Sequence, residues 1–259
     1  MKLRLLYTIL PWACLAVFVV LVGYAMFGGR SVARIDDIWV VNLDRDIKRW
    51  EHMKSSTSHL GTIVNRFSAM DGKTIRDRSV IHKEGVGHYF TKTVGKPSKE
   101  IVNKGVVGCW LSHKRLLQHL AKQDRPYNYG HLILEDDVDI PDDFLSDSDA
   151  WSTMSKKIPG DWDMVYLGMG VKEKDIPNGN TVTKLTSNSR GKHQYGTHAY
   201  LVKHGSIKTK LLPLLRFMTD AIDEQYNTMF DDINAYRIYP SILYPKEEIS
   251  SKSSILSMN

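Results

Sequence analysis

Cysteine is scarce in this sequence: Cys14 and Cys109 are the two cysteines in a chain of 259 residues. Two distant thiols, one of them inside an apolar run, do not build a disulfide framework, which excludes a small disulfide-stapled domain. Glycine and proline, at 18 and 9 residues, are scattered and form no low-complexity tract. Charged residues at 25% and aromatic residues at 10% exclude wholesale disorder, a collagen-like chain and a multi-pass transporter.

Long blocks of like charge are also missing. The net charge is +6 and the isoelectric point is near 9.1, but no run of five or more like charges occurs. Surfaces that bind nucleic acid concentrate Lys and Arg in patches or stripes, so this dispersal does not favour such a partner. A solvated surface, or basic side chains beside the phosphates of a small substrate, explains the charge equally well. We therefore expect no nucleic-acid partner.

One long apolar run stands near the N-terminus. From residue 5 to residue 27 all but three positions are apolar, and a helix of that length rises about 34 Å, enough to cross about 30 Å of hydrocarbon. Lys2 and Arg4 precede the run, which favours a cytoplasmic N-terminus. We predict that residues 1–37 form a cytoplasmic tip, an uncleaved signal-anchor helix and a short stalk. The alternative is a long signal peptide that is cleaved.

This anchor predicts a single-pass type II membrane protein with its body on the far side of the membrane. In a eukaryotic or viral protein the body would lie in the lumen of the Golgi or endoplasmic reticulum. In a bacterial protein the anchor would lie in the inner membrane.

The body, residues 38–245, alternates short apolar strands with amphipathic helices. We predict strands over residues 38–43, 62–67, 131–139, 163–168 and 200–202, and helices after residue 46, over 106–123, from Pro141 onward and over 206–217. Such alternation indicates an α/β fold with a mainly parallel sheet. Residues 73–104 lack periodicity and are typical of a long irregular segment. Residues 246–259 are expected to form a flexible tail.

An acidic cluster follows the most apolar strand of the body. Side chains alternate along an extended chain, so Glu135, Asp137 and Asp139 are expected on one face and Asp136 on the other. Three carboxylates on one face repel each other unless a cation lies among them, and hard divalent cations take oxygen ligands. The cluster therefore suggests a metal site at the carboxyl end of a strand. The alternative is an acidic loop in which Asp139 caps the next helix.

Five motifs in order make the sequence resemble glycosyltransferase family 25, the lipooligosaccharide and procollagen galactosyltransferase family. They are Asn42-Leu43-Asp44-Arg45 with Arg49-Trp50, then Ala69-Met70-Asp71-Gly72, then Gly105-Val106-Val107-Gly108-Cys109-Trp110-Leu111-Ser112-His113, then Leu134-Glu135-Asp136-Asp137, and finally Asp161-Trp162-Asp163-Met164-Val165-Tyr166-Leu167-Gly168. The resemblance implies a GT-A-like fold, an α/β/α sandwich. It also implies a UDP-sugar donor and Mn²⁺, or Mg²⁺, held by the Glu-Asp-Asp element.

The resemblance leaves two registers open for the metal. Glu135 and Asp137 follow the family's element, whereas Asp137 and Asp139 form a literal Asp-x-Asp. Asp137 belongs to both registers and is the first candidate ligand. Asp136 is expected to contact the ribose or the sugar of the donor.

Other candidate residues lie on the remaining motifs. Asn42 and Arg45, with Arg49, follow the first strand and are expected to contact uracil, ribose or phosphate, although an arginine on a helix surface is often simply solvated. His113, with Ser112, matches the Ser-His of the family and is expected near the donor. The alternative for His113 is packing within a largely apolar helix.

An acidic pair near the end of the body supplies a candidate base. Asp223 and Glu224 match the late acidic pair of the family, and an inverting transfer needs a base to take the proton of the acceptor hydroxyl. The alternative is an acidic helix start that interacts favourably with the helix dipole.

The sequence thus favours a membrane-anchored, metal-dependent, inverting glycosyltransferase. We expect it to move a sugar, most favourably galactose, from a UDP-sugar to a glycan, a lipooligosaccharide or a hydroxylated protein. Two alternatives stay open: a metal-dependent phosphoester hydrolase, since acids at strand ends also build two-metal sites, and a membrane-tethered sugar- or calcium-binding protein without catalysis.

Overall fold

The computed structural model of the chain describes residues 32–75, 82–86, 104–171, 179–187 and 194–246. Within these ranges no helix is both long enough and apolar enough to span a membrane. The predicted anchor over residues 5–27, most of the irregular segment over 73–104 and the tail after residue 246 lie outside the described residues.

Nine strands and five helices of the described residues build the domain. The strands are β1 (Asp37–Asn42), β2 (Ile63–Ser68), β3 (Gly130–Glu135), β4 (Val138–Asp139), β5 (Met164–Val171), β6 (Thr181–Lys184), β7 (Gln194–Lys203), β8 (Ala235–Tyr239) and β9 (Tyr244–Pro245). The helices are α1 (Ile47–Thr57), α2 (Lys104–Leu120), α3 (Ala150–Met154), α4 (residues 204–214, with a π-helical turn at Ile207–Leu211) and α5 (Ile222–Met229). Single 3₁₀ turns follow β2 at Gly72–Thr74 and α3 at Ser155–Lys157.

Seven strands form one central sheet in the order β2-β1-β3-β7-β5-β8-β6. β1 pairs in parallel with both β2 and β3, and β5 pairs in parallel with β8, while β7 and β6 run against their neighbours. Five of the seven strands therefore point the same way. The prediction of an α/β architecture with a mainly parallel sheet is confirmed. β4 and β9 form a separate two-stranded sheet.

The central sheet is buried on both faces, as alternation along β1 shows. Trp39 and Val41 pack on the face covered by α2, α4 and α5, whereas Ile38 and Val40 pack on the face covered by α1 and α3. A parallel strand that is covered on both faces reads as a continuous apolar run, which explains the lack of polar alternation in this segment. The layers are helix, sheet and helix.

The predicted helix from Pro141 onward is wrong. Residues 142–149 form turns, and the helix starts at Ala150. The carboxylate of Asp149 caps that start, because it accepts a hydrogen bond from the backbone N–H of Ser152 at 2.6 Å and another from that of Leu145 at 2.7 Å. The residue that caps the start of this helix is therefore Asp149, which lies eight residues after Pro141.

Candidate active site

The carboxyl ends of β1, β2 and β3 meet at one edge of the central sheet, because these three strands are neighbours and parallel. A cavity at this edge encloses about 600 Å³ of space, part of it open to solvent. We call it the first cavity. Its wall combines the ends of the strands with the inward face of α2, and includes Leu43, Arg49, Met70, Cys109, Ser112, His113, Glu135, Asp136 and Asp137. Ligands of open α/β sheets bind at this position.

The acidic cluster does not continue as one strand. The pairing of β3 with β7 ends at Leu134 and its pairing with β1 ends at Glu135, the last residue of the strand. The chain then turns at Asp136 and Asp137. It resumes as β4, in which Asp139 pairs with Tyr244 of β9. The side chain of Asp139 is exposed and does not line the first cavity. The expectation that Glu135, Asp137 and Asp139 share one face of an extended strand is therefore wrong.

Asp136 is buried and held by two donors. It accepts hydrogen bonds from the side-chain amide of Asn42 at 2.6 Å and from the guanidinium of Arg49 at 2.8 Å. The amide oxygen of Asn42 is itself occupied, since it accepts a hydrogen bond from Arg66 at 2.8 Å. Burial raises the pKa of Asp136 even though Arg49 and Asn42 act to lower it. Asn42 and Arg49, predicted to contact the donor, here position a carboxylate.

Asp137 lies beside Asp136 but lacks comparable partners. Its Oδ1 is buried and accepts no hydrogen bond from any described residue, and its Oδ2 lies 3.9 Å from the Arg49 guanidinium. Burial, together with the negative charges of Glu135 and Asp136, raises the pKa of Asp137 to about 7. The positive charge of Arg49 acts to lower this pKa but does not outweigh burial and the two neighbouring carboxylates.

The pKa of Glu135 shifts in the opposite direction from that of Asp137. Its Oε1 accepts a hydrogen bond from Thr197 at 2.6 Å and lies 3.5 Å from Nε2 of His113. Burial acts to raise the pKa of Glu135, but the hydrogen bond and charge of His113, with the Thr197 hydrogen bond and the charge of His198, together outweigh it and lower the value to about 2. The other ring nitrogen of His113 lies 2.7 Å from the Tyr200 hydroxyl, which fixes the orientation of the imidazole. Glu135 is thus held as a carboxylate.

Arg45 lies outside the wall of the first cavity. It forms an ion pair with Asp71 and so joins the segments that follow β1 and β2. It does not line the first cavity in this arrangement, whereas Arg49 does.

A second cavity adjoins the first across a shared wall. Both cavities are lined by Cys109 and Glu135, and the second is also lined by Gly196, Thr197 and Asp223. Asp223 stands in the first turn of α5 and accepts a hydrogen bond from the backbone N–H of Gly196 at 3.1 Å. The predicted base Asp223 therefore faces a cavity that borders the acidic cluster.

Glu224, the other predicted base, does not line either cavity. Its Oε2 lies 3.5 Å from the amide nitrogen of Asn227.

Two residues of the site were not singled out from the sequence. Thr197 reaches Glu135 because β7 lies next to β3, an antiparallel pairing that connects residues 62 positions apart. Cys109 stands one helical turn before His113, and this i, i+4 spacing was the available signal.

The donor set at the acidic cluster fits a hard divalent cation. Glu135 and Asp137 offer carboxylate oxygens to the first cavity, and the Oδ1 of Asp137, which has no partner among the described residues, is the kind of buried atom that a cation would satisfy. Asp136, whose two oxygens are occupied, is less available as a ligand. Asp137 is common to both metal registers considered from the sequence, and the fold separates Asp139 from it.

Fold and site together define an open-sheet α/β domain, with carboxylates at the carboxyl ends of parallel strands and two adjoining cavities beside them. The comparisons with known proteins narrow this class. The model of glycosyltransferase family 25 (LPS biosynthesis protein) matches residues 35–225. The chain belongs to glycosyltransferase family 25, as its motifs predicted.

Relatives of known name agree with this assignment. A glycosyltransferase 25 family member of Anopheles gambiae is 26% identical over 230 residues, which cover 82% of this chain and 37% of the relative. Procollagen galactosyltransferase 1-B of Xenopus laevis is 24% identical over 239 residues, covering 85% of this chain and 37% of the relative. The chain thus spans little more than a third of the length of these relatives.

A solved structure also matches the chain. It is the crystal structure of a glycosyltransferase involved in the glycosylation of the major capsid of PBCV-1, with a TM-score of 0.43 and 9% sequence identity. The match covers 86% of this chain and 97% of the other.

Proposed function

We propose that the chain is an inverting, metal-dependent hexosyltransferase with a GT-A-like fold. It transfers a sugar, galactose in the first instance, from a UDP-sugar to a hydroxyl group of a glycan or of a hydroxylated protein. The choice of galactose rests on relatives that are named procollagen galactosyltransferase. Membership of the family supports the class of reaction.

One observation carries the proposal for the site: a buried carboxylate oxygen that accepts no hydrogen bond from the described residues stands beside a carboxylate held in its ionised form. The Oδ1 of Asp137 accepts no hydrogen bond from the described residues, while Glu135 is held by Thr197 and His113. In the proposed function, Glu135 and Asp137 hold Mn²⁺ or Mg²⁺. Such a cation, when bound, supplies positive charge that stabilises the nucleoside diphosphate as it departs.

The two cavities suggest a division of roles. The first cavity, where the acidic cluster lies, takes the nucleotide-sugar, and Arg49 adds positive charge to its wall. The second cavity takes the acceptor, and Asp223 receives the proton of the attacking hydroxyl. Glu135 lies on the wall that the two cavities share, where the anomeric carbon and the hydroxyl would have to meet.

Membrane anchoring belongs to the same proposal. The apolar run over residues 5–27 would hold the catalytic domain at a membrane as a type II protein. The compartment would be the lumen of the Golgi or endoplasmic reticulum in a eukaryotic or viral setting, or the inner membrane in a bacterium.

A donor screen with metal control tests this function. The full-length protein, purified in detergent, is incubated with UDP-galactose, UDP-glucose and other UDP-sugars in Mn²⁺, with a hydroxylysine-containing peptide or a lipooligosaccharide as acceptor. We expect transfer from one donor, loss of transfer in excess chelator and recovery when Mn²⁺ is restored. Full transfer in excess chelator would remove the metal from the reaction. Hydrolysis of phosphoesters without sugar transfer would contradict the proposed function.

A further inference from the structure

At the wall shared by the two cavities, a second group of side chains could bind a metal ion. Cys109 and His113 lie four residues apart on α2, so their side chains leave the helix on the same face. With Glu135 they offer a thiol sulfur, an imidazole nitrogen and a carboxylate oxygen, and these atoms all lie within 4.8 Å of one another. We propose that Cys109, His113 and Glu135 form a Zn²⁺ site that is distinct from the oxygen-only donor set at Asp137.

The separations suit tetrahedral zinc. Zn²⁺ binds sulfur at about 2.3 Å and nitrogen or oxygen at about 2.0–2.2 Å, so neighbouring ligand atoms in a tetrahedron lie roughly 3.3–3.8 Å apart. Nε2 of His113 and Oε1 of Glu135 are already 3.5 Å apart. The thiol of Cys109 needs only a small side-chain adjustment from within 4.8 Å to complete three corners. Water or a ligand in the adjoining cavities would supply the fourth corner.

The surroundings of these side chains match those of metal ligands. A histidine that binds zinc through one nitrogen usually donates its other N–H to a fixed partner. Here Nδ1 of His113 lies 2.7 Å from the Tyr200 hydroxyl, which leaves Nε2 directed towards Glu135. The hydroxyl of Thr197 donates to Glu135 at 2.6 Å and fixes that carboxylate. Two of the three proposed ligands are therefore oriented by neighbours outside the site.

Zinc binding here releases one proton from Cys109 and one from His113. Burial, with the negative charge of Glu135, Asp223 and Asp137 nearby, raises the pKa of Cys109 well above its ordinary value, so the free side chain is a neutral thiol. The sulfur–hydrogen bond breaks as the sulfur–zinc bond forms, and Nε2 of His113 gives up the proton that it directs at Glu135 so that its lone pair can bind zinc. Both protons pass to the solvent. The thiolate and the Glu135 carboxylate then balance the two positive charges of zinc.

The two sets of ligands prefer different metal ions, but both include Glu135. Cys109 and His113 bring sulfur and nitrogen, which suit zinc, whereas Asp137 brings oxygen, which suits Mn²⁺ or Mg²⁺. Both sets need Glu135, so zinc and the hard cation compete for it. Zinc at this position also occupies the wall between the two cavities. The site would act as a zinc-sensitive block on the cavity system.

Zinc affinity of variants tests the site without an assay of catalysis. The full-length protein is titrated with Zn²⁺ in competition with a chromophoric chelator, and Mn²⁺ binding is measured in parallel. We expect Cys109→Ser to weaken Zn²⁺ binding on the order of 100-fold and to leave Mn²⁺ binding nearly unchanged. Asp137→Asn should do the reverse. His59→Ala, which removes an exposed histidine on the surface, is the matched control and should change neither affinity.

A second readout uses the wild-type protein alone. Zn²⁺, but not Mn²⁺, should slow the alkylation of Cys109 by iodoacetamide, as followed by mass spectrometry of the peptide that contains it. This measurement decides the question if Cys109→Ser does not fold. Zinc binding that survives in Cys109→Ser, or that is lost equally in Asp137→Asn, would overturn the site. Alkylation of Cys109 at an unchanged rate in saturating Zn²⁺ would also overturn it.

Discussion

Asp136 and Asp137 are neighbours in sequence, but they differ in how many hydrogen-bond donors surround their carboxylates. Asp136 receives hydrogen bonds from Asn42 and Arg49, which compensate part of the cost of its burial. Asp137 has a buried oxygen without a described partner and faces the negative charge of Glu135. Since an uncompensated buried charge destabilises the folded state, Asp137 is the residue that gains most from a bound cation. At the residue scale this asymmetry is the basis of the proposed metal site.

The asymmetry predicts how stability depends on pH in the metal-free protein. Burial raises the pKa of Asp137 from 3.8 to about 7, so the folded state binds more protons than the unfolded state between these values. Stability contributed by Asp137 therefore falls as pH rises from about 4 to 7. We expect Asp137→Asn to raise the melting temperature at pH 8 and to leave it nearly unchanged at pH 4. Thermal denaturation in chelator across this range measures the difference.

Added Mn²⁺ provides the control for that experiment. It should stabilise the wild type at pH 8 and have little effect on Asp137→Asn, because the cation binds only the folded state and needs the carboxylate. A variant that melts below the wild type at pH 8 in chelator would contradict the electrostatic account of Asp137.

Asn42 gives a second prediction at this scale. Its amide donates to the buried carboxylate of Asp136 and accepts from Arg66. Asn42→Ala should lower the free energy of unfolding by about 1–3 kcal/mol, because a buried charged acceptor loses a donor. Asn65→Ala is the matched control, since the Asn65 amide makes a long contact of 3.5 Å to the backbone oxygen of Ile38 instead of a hydrogen bond to a carboxylate. Chemical denaturation compares the two, and equal losses would argue against a special role for Asn42.

At the scale of elements, α2 holds the segment that follows β2. The hydroxyl of Ser112 accepts a hydrogen bond from the backbone N–H of Met70 at 2.8 Å and donates to the backbone oxygen of Gly108 at 2.6 Å. A Cβ at Gly108 would lie 2.7 Å from the backbone oxygen of Met70 and 2.8 Å from the nitrogen of Gly72. The small residue at Gly108 thus allows the helix to approach the wall of the first cavity.

This contact can be tested by filling the space. Gly108→Ala should displace residues 70–72, cost about 1–3 kcal/mol of stability and weaken nucleotide binding. Gln118→Ala on the same helix is the control, because it adds no volume at the contact. Stability is measured by denaturant unfolding and binding by calorimetry with UDP in Mn²⁺. A Gly108→Ala variant with unchanged stability and unchanged UDP binding would contradict the close approach.

Much of the element pattern could be predicted from the sequence. The apolar run that forms β1 and the amphipathic period of α2 are strong local signals, and both elements are present with small shifts at their ends. β6 and β8 were not predicted, and β7 proved longer than its predicted core over residues 200–202. These strands obtain their stability from neighbours distant in sequence, which a local pattern does not contain.

The candidate site was also predictable only where local sequence was sufficient. The acids at the end of β3 and the late Asp223 were found because residue type and position along the chain suffice to suggest them. The turn at Asp136 was not predicted, since it depends on where the pairing with β1 and β7 stops. Thr197 was not found, because only the antiparallel neighbour β7 brings it to Glu135.

On the scale of the whole molecule, the cavities lie at the carboxyl ends of the parallel strands, whereas residues 32–36 lie at their amino ends. Residues 32–36 lead into the amino end of β1, and the backbone N–H of Asp36 donates to the oxygen of Gly130 at the start of β3. The first cavity lies at the carboxyl ends of the same strands. A membrane anchor before residue 32 would therefore place the cavities at the edge away from the point of attachment.

This arrangement belongs to the proposed topology, which protease protection tests. In microsomes that carry the full-length protein, residues after about residue 30 should resist added protease until detergent is present. The expectation rests on the apolar run behind Lys2 and Arg4. An epitope tag at the C-terminus reports the fate of the domain, and a lumenal marker protein controls for intact vesicles. Digestion of the tag without detergent would show that the orientation is wrong.

The central claim is that Glu135 and Asp137, and not Asp139, hold the cation that sugar transfer requires. The most direct measurement is the rate of transfer from the active UDP-sugar in Mn²⁺ for the wild type, Asp137→Asn and Asp139→Asn. Asp137→Asn should slow transfer on the order of 100-fold or more, equivalent to about 2.7 kcal/mol of lost transition-state stabilisation. Asp139→Asn should stay within about threefold of the wild type, because Asp139 is exposed on β4 and lines neither cavity. Equal losses in the two variants, or full activity in Asp137→Asn, would contradict the account.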